Sequence, residues 1–431
     1  MPNLLQQLTS LTHTGKIHSL SKTVALSELL FKAKQIRQQN PELKQQKVLI
    51  VDENIFDFIS ALVAFDGWCQ SIYIASQNLT QPKVDNLIQW QQKPPQSAVS
   101  QLVIDDNEQI DTSWFLATSG TTGEPKWYAH SFAALASSVK QSRNLTKVNW
   151  ALMYQPTRFA GLQVLLQSLL SGANLIDVHG KPALQQISLM QRHQVNAISA
   201  TPSLWRQLSM TQQLDNLTLK YITLGGEIAD QGILDHLSNL FPNAQIKHIY
   251  ASTEAGVGFV VTDKKAGFPV AWLASSDNET PKLKVSSQQH LMIKPKHLIG
   301  DNLKSLTDPQ GYVDTFDKVA VTDERVMFLG RASGVINVGG NNVYPEKIEQ
   351  VLLQSAEVDQ ARVYGQASPL VGALVVAEVV LQPNSEPQLA KTRLLSNCKA
   401  QLARYERPSK IRIVASLKQD ASGKLNRKNH D

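Results

Sequence analysis

From Lys47 to Tyr250 short apolar runs alternate with helix-like segments, and this alternation constrains the fold more than any other feature. Lys47–Val51, Ser71–Ala75, Ala151–Tyr154, Asn174–Val178, Ala197–Ala200, Tyr221–Leu224 and Ile246–Tyr250 read as strands. Ile55–Trp68, Gly161–Leu170, Leu184–His193, Pro202–Leu208 and Asp230–Leu240 read as helices between them. A helical crossover returns the chain in the same direction, so strands joined this way pair in parallel. The expected class is α/β, with parallel-rich sheets covered by helices and ligands at the C-terminal ends of strands. Residues 1–46 read as helical and polar, Pro94-Pro95 as part of a loop and Gln101–Ile104 as a short strand. From Gly256 to Leu329 the helical signal fades, which suits a small β subdomain. After Arg331 a compact α+β unit is expected: a helix from Pro345 to Leu353, strands at Ala361–Tyr364 and Ala373–Leu381, a helix over Leu389–Tyr405 and a strand at Ile411–Val414.

Composition excludes several classes. Hydrophobic content of 42% with 18% charged residues suits a soluble globular chain. No apolar run reaches the roughly 18 residues of a membrane span, so no stable membrane insertion is expected. Met1–Lys16 lacks a basic start followed by an apolar core, so it does not read as a secretory signal. Cys69 and Cys398 stand far apart without metal-ligand spacing, as expected of a reduced, cytoplasmic protein. The net charge of +6 suits an anionic ligand or an acidic partner. No basic run interleaved with aromatics points to nucleic acid.

One stretch carries chemistry: Thr118-Ser119-Gly120-Thr121-Thr122-Gly123-Glu124-Pro125-Lys126. It follows the strand-like run Trp114–Ala117 and precedes a polar-aromatic segment and a helix expected over Ser131–Asn144. Its glycines let backbone N–H groups face a ligand, its hydroxyls donate, and Lys126 adds a point charge suited to phosphate. The common nucleotide P-loop has a different spacing and ends in Lys-Ser/Thr. This order of residues resembles the phosphate loop of the adenylate-forming superfamily, which includes acyl-CoA synthetases, luciferases and peptide-synthetase adenylation domains. Trp127 stands where that family usually has glycine.

Five further stretches follow in the family's order; taken alone, the first three read as ordinary turns and Lys424 as a solvated surface charge. Gly225-Gly226-Glu227 resembles the adenine wall, with Gly225 also facing the acid pocket. Tyr250-Ala251-Ser252-Thr253-Glu254 resembles Tyr-Gly-x-Thr-Glu. The resemblance gives Tyr250 and Ala251 to the purine, Thr253 to a phosphate and Glu254 to Mg²⁺. Gly311–Asp317 resembles the ribose motif, with Asp317 accepting the ribose hydroxyls and Phe316 replacing a glycine. Gly330–Gly340 resembles the hinge, with Arg331 on ribose and phosphate and Ser333 at a pivot usually Asp or Lys. Ser422-Gly423-Lys424 resembles the catalytic-lysine loop.

The resemblance runs from Ser119 to Lys424 and implies a large N-terminal adenylation domain, 1–331, with a small mobile lid, 332–431. It implies ATP and Mg²⁺, a carboxylate attacking the α-phosphorus to give acyl-AMP and pyrophosphate, and rotation about Ser333. A phosphopantetheine thiol, of CoA or of a carrier protein and supplied in trans or by a segment absent here, would then take the acyl group. Members that activate α-amino acids carry an Asp near the start of the helix after the Ala151 strand, and Gln155–Leu162 has no acid. Arg158, with Phe159 and Gly161 in the expected substrate pocket, replaces a common His. It gates the pocket, pairs with an anion or is an exposed helix-start arginine. The apolar Leu162–Leu170 lines an acyl tunnel or simply packs. A medium- or long-chain fatty acid is the expected substrate. An aryl or o-succinylbenzoate-type acid is the alternative, and a non-catalytic nucleotide binder the alternative of another class.

Overall fold

The computed structural model describes residues 2–12, 14–51, 54–77, 79–91, 110–118, 125–253, 256–274, 281–295, 307–368, 372–417, 419 and 424–425. Pro94-Pro95, Gln101–Ile104, Ser119, Gly120, Thr121, Thr122, Gly123, Glu254 and Ser422-Gly423 lie outside the described residues.

Four sheets form among the described residues. The largest runs, in spatial order, Gly256–Val261, Gln245–Ser252, Tyr221–Gly225, Ala197–Ala200, Asn149–Leu152, Asn174–Asp177, Lys16–His18 and Thr23–Ala25. Its six inner strands are parallel and its two edge strands antiparallel. The second runs Leu87–Trp90, Lys47–Val51, Ser71–Ala75, Ser113–Thr118 and Lys126–Ser131, parallel except for the last strand. Strands buried on both faces read as unbroken apolar runs, and Ser71–Ala75 is buried throughout. The helix Ile55–Phe65, capped by the Asn54 side chain on Phe56 N–H, is buried along nearly its whole length. One core joins these elements to the helices Leu26–Gln39, Phe159–Leu170 and Gln231–Leu240.

A third, antiparallel sheet carries Val313–Val321 and Arg325–Arg331 around its own core of Phe259, Phe268, Leu291 and Val326. The fourth sheet, with helices Pro345–Leu353 and Pro387–Gln401, encloses a separate core centred on Val343, Ile348, Val363 and Leu394. The architecture is the expected α/β one: a large N-terminal part and a smaller C-terminal part.

Two expectations need correction. The helix expected over Ser131–Asn144 is only Phe132–Ala136. Gln163 Nε2 donates to Leu135 O at 2.9 Å, and Gln167 brackets the Lys140 backbone at 3.0 and 2.9 Å, holding the following chain out of helical form. The polar-aromatic segment before it is the strand Lys126–Ser131, folded back on Ser113–Thr118. Residues 1–46 are not helical throughout either. Lys16–His18 joins the largest sheet beside Asn174–Asp177, because Ile17 and Val24 bury one face of a short hairpin.

Candidate active site

Four adjacent parallel strands end on one edge of the largest sheet, where ligands of open α/β sheets gather. Tyr154, Thr201, Gly226, Glu227 and Thr253 stand just past those ends. Gly226 has φ +83°, a conformation that suits glycine, and a Cβ there would lie 3.3 Å from Lys424 Cε and 3.4 Å from Thr201 Cγ2. Glu227 accepts from Ser203 N–H at 3.0 Å and from Leu425 N–H at 2.8 Å. Tyr154 was not singled out from sequence. It is buried, and its hydroxyl lies 3.9 Å from where a Cβ on Gly225 would stand. Burial pushes that hydroxyl's pKa up, the nearby Glu227 charge adds to this, and a hydrogen bond with Ser199 opposes it. Only its place at a strand end signalled it in the sequence.

A second cluster brings together Tyr250, Asp317 and Arg331. The Tyr250 hydroxyl donates to Asp317 Oδ2, and Arg331 Nε donates to Oδ1 at 3.0 Å. Asp317 and Arg331 face each other across paired strands. Burial raises the Tyr250 pKa well above the usual phenol value, and the Asp317 charge and hydrogen bond add to it. Its ring lies nearly parallel to Phe259 and Phe328, at 5.1 and 5.4 Å. Ala251 sits at a register shift between this strand and its neighbour. Phe316 has φ +56° and an exposed ring, which explains how a side chain is tolerated at this tight turn.

The loop expected to hold phosphate is flanked by Thr118 and Lys126, cross-strand partners at the loop end of their hairpin. Arg158, at the N-cap of Phe159–Leu170, donates Nη1 to Ala117 O at 3.1 Å, so the helix start and the loop strand are joined. Gly161 allows this bend, because a Cβ would run into the Gln155 carbonyl oxygen. The Phe159 ring tilts against His130 at 5.9 Å.

The C-terminal part docks over the sheet edge. Lys424 is exposed with its stem over Gly226. Ser333 is exposed in the single turn Ala332–Gly334. Further along the contact, Gln360 Nε2 lies 3.9 Å from Met210 Sδ. Asp359 Oδ1 accepts from Gln382 at 3.1 Å, while Oδ2 is buried without a hydrogen-bond partner. Burial raises the Asp359 pKa from 3.8 to about 7, against the opposing charge of Arg206. The folded state therefore holds this proton more tightly than the unfolded chain. Stability is highest below pH 4 for this group and is lost as pH rises through 7. Asp359→Asn is expected to stabilise the protein at pH 8, by at most about 4 kcal/mol at 1.4 kcal/mol per pH unit. The gain should fade in melts at progressively lower pH, and equal melting of the two proteins at pH 8 would contradict it.

The family model for AMP-binding enzymes matches residues 34–282, and that for the AMP-binding enzyme C-terminal domain matches 347–424. The chain belongs to the AMP-binding enzyme family. It is an adenylate-forming ligase of the superfamily that its motifs resemble. Among its relatives, 2-succinylbenzoate–CoA ligase of Bacillus pumilus is 26% identical over 73% of this chain and 68% of its own length. The long-chain-fatty-acid–CoA ligase FadD13 of Mycobacterium tuberculosis is 24% identical over 73% of this chain and 66% of its own. The fold is similar to that of o-succinylbenzoate coenzyme A synthetase from Bacillus subtilis in complex with ATP and magnesium ion. That match has a TM-score of 0.67 at 20% identity and covers 99% of this chain and 98% of the other. Among the described residues no helix is long and apolar enough to cross a membrane.

Proposed function

We propose that the enzyme joins ATP to an aryl carboxylic acid of the o-succinylbenzoate type and passes the acyl group to the thiol of CoA. In the first step a carboxylate oxygen of the acid bonds to the α-phosphorus, and pyrophosphate leaves. In the second the thiol sulfur bonds to the acyl carbon, and AMP leaves. The observation that carries adenylation is the meeting of Lys424 with Gly226 at the sheet edge. Asp317 and Arg331 supply the nucleotide side of the same unit. Each Asp317 oxygen keeps a second lone pair for a ribose hydroxyl beyond its bond to Tyr250 or Arg331. Tyr250 and Ala251 would border the purine, and Thr118, Ser119, Gly120, Thr121, Thr122, Gly123 and Lys126 the phosphates. Mg²⁺ would be held by Glu254 and phosphate oxygens, since this ion favours one or two carboxylates plus phosphate. Residues 332–431 would act as the lid.

The acid class rests on the similarity to 2-succinylbenzoate–CoA ligases, which favours the aryl alternative over the fatty acid expected from sequence. The geometry adds a reason. Leu162, Leu165, Leu166 and Leu169 are buried in the main core, so the helix that suggested an acyl tunnel is accounted for by packing. The likeness to FadD13 keeps a fatty acid as the second reading.

The test is acid-dependent exchange of labelled pyrophosphate into ATP, across o-succinylbenzoate, simple aryl acids, C8–C18 fatty acids and amino acids. Exchange should respond to an aryl acid at least about tenfold more than to any fatty acid, equivalent to 1.4 kcal/mol of discrimination. A sharp fatty-acid optimum would replace the aryl reading, and no exchange with any acid would remove adenylation.

A further inference from the structure

Glu227 lies 198 residues from Leu425 in sequence, yet its carboxylate joins the two parts of the molecule. Oε2 accepts from Ser203 N–H in the first turn of the helix Pro202–Ser209. Thr201 caps the same turn through Leu204 N–H at 3.1 Å. An anion is favoured there because the first N–H groups of a helix have no partner within it. This half of the contact lies wholly within the N-terminal part, so it holds the carboxylate in place whatever the C-terminal part does. Oε1 faces the other way and takes the backbone N–H of the residue after Lys424, at 2.8 Å. The adjacent Gly226 lets the Lys424 stem lie against the backbone, with Cε 3.3 Å from where a Cβ would be. A fixed acceptor therefore meets a donor one residue from the expected catalytic ammonium.

We propose that Glu227 is a positioning residue: it latches the Lys424 loop to the sheet edge for adenylation and has no part in thiol transfer. The proposal rests on the adenylation reading of Lys424 given above. A hydrogen bond to a carboxylate is stronger than one between neutral groups and is lost whole when the lid moves away. A latch of this kind affects only the step that needs the lid docked in this pose.

The two half-reactions separate the roles. Glu227→Ala should lower acid-dependent pyrophosphate exchange about 10- to 100-fold, the range for losing a hydrogen bond to a charged group. With acyl-adenylate supplied at saturation, so that any change in adenine binding drops out, the rate of thioester formation by the same variant should stay within about threefold of wild type, the spread of ordinary context effects. Glu227→Gln keeps the shape and one acceptor oxygen, so it guards against misfolding and should fall between the two. Equal losses in both half-reactions, or none, would overturn the latch.

A second readout needs no turnover. Gln360 is buried where it meets Met210 across the same contact, and the native Cys69 and Cys398 are buried. In a Gln360→Cys background the rate of thiol labelling reports opening of the lid. Adding Glu227→Gln should raise that rate about tenfold, as expected when an open state gains 1.4 kcal/mol. An unchanged rate would overturn the latch. If wild type exchanges with no acid, the adenylation reading fails and labelling alone decides whether Glu227 holds the lid.

Discussion

Lys424→Ala is expected to lower acid-dependent pyrophosphate exchange about 10²–10³-fold, the usual cost of removing one preorganised charge from a transition state. Attack of a carboxylate on an α-phosphate brings two anions together, and an ammonium between them offsets the repulsion. Lys424 is exposed and outside every hydrophobic core, so its truncation leaves no cavity. Stability should change by no more than about 0.5 kcal/mol. The effect on rate is therefore separable from any effect on folding. Lys424→Arg should rescue poorly, because a planar guanidinium does not replace a compact point charge. The contact geometry sharpens this: the stem passes close over Gly226, where a bulkier head group has little freedom to swing. Near-wild-type exchange in a variant with unaltered melting would end the catalytic assignment of Lys424.

The sequence showed the parallel strands because burial on both faces leaves a local mark: Val48, Leu49 and Ile50 are all fully buried. The C-terminal unit was equally legible, with Pro345 opening its first helix as expected of a residue that lacks an N–H. What was missed depends on distant partners. Ile17 pairs with Leu175, and three residues are too few to show a strand period. The hairpin return over Lys126–Ser131 mixes charged, aromatic and small residues, so its alternation is blurred. Glu227 was visible as a strand-end acid, but neither Ser203 nor Leu425 could be named from local pattern. Phe316 departs from the glycine that the motif favours. Its backbone keeps the left-handed conformation, and the exposed ring avoids a clash. The order of motifs thus identified the chemistry, whereas the contacts that hold those motifs together needed the fold.

The other large effect is expected far from the chemistry, at Asp66. This residue is buried, and its carboxylate accepts from Leu4 N–H at 2.7 Å and Trp114 Nε1–H at 2.8 Å. Arg37, also buried, donates Nε to Ala64 O at 2.6 Å and Nη2 to Asp66 O at 2.7 Å. Burial raises the Asp66 pKa, while the two N–H donors and the Arg37 charge pull it back. Asp66 thus ties together three elements: its carboxylate holds the first helix and the strand that ends at Thr118, and its backbone carbonyl takes the Arg37 helix. Asp66→Ala leaves two buried donors, Leu4 N–H and Trp114 Nε1–H, without an acceptor, while the Arg37 bonds to backbone oxygens remain. The loss should be about 2–6 kcal/mol, at about 1–3 kcal/mol for each buried donor left unsatisfied. Asp66→Asn retains the volume and one acceptor oxygen, so about 1–3 kcal/mol is expected for the donor it leaves unmatched. Urea unfolding followed at the tryptophans measures both, and a midpoint for Asp66→Ala indistinguishable from wild type would refute the network. Because Trp114 and Thr118 share one strand, the same variant should weaken ATP binding even at urea concentrations where the protein stays folded. With a structural carboxylate at one end of that strand and the loop proposed to bind phosphate at the other, stability and nucleotide affinity should fall together.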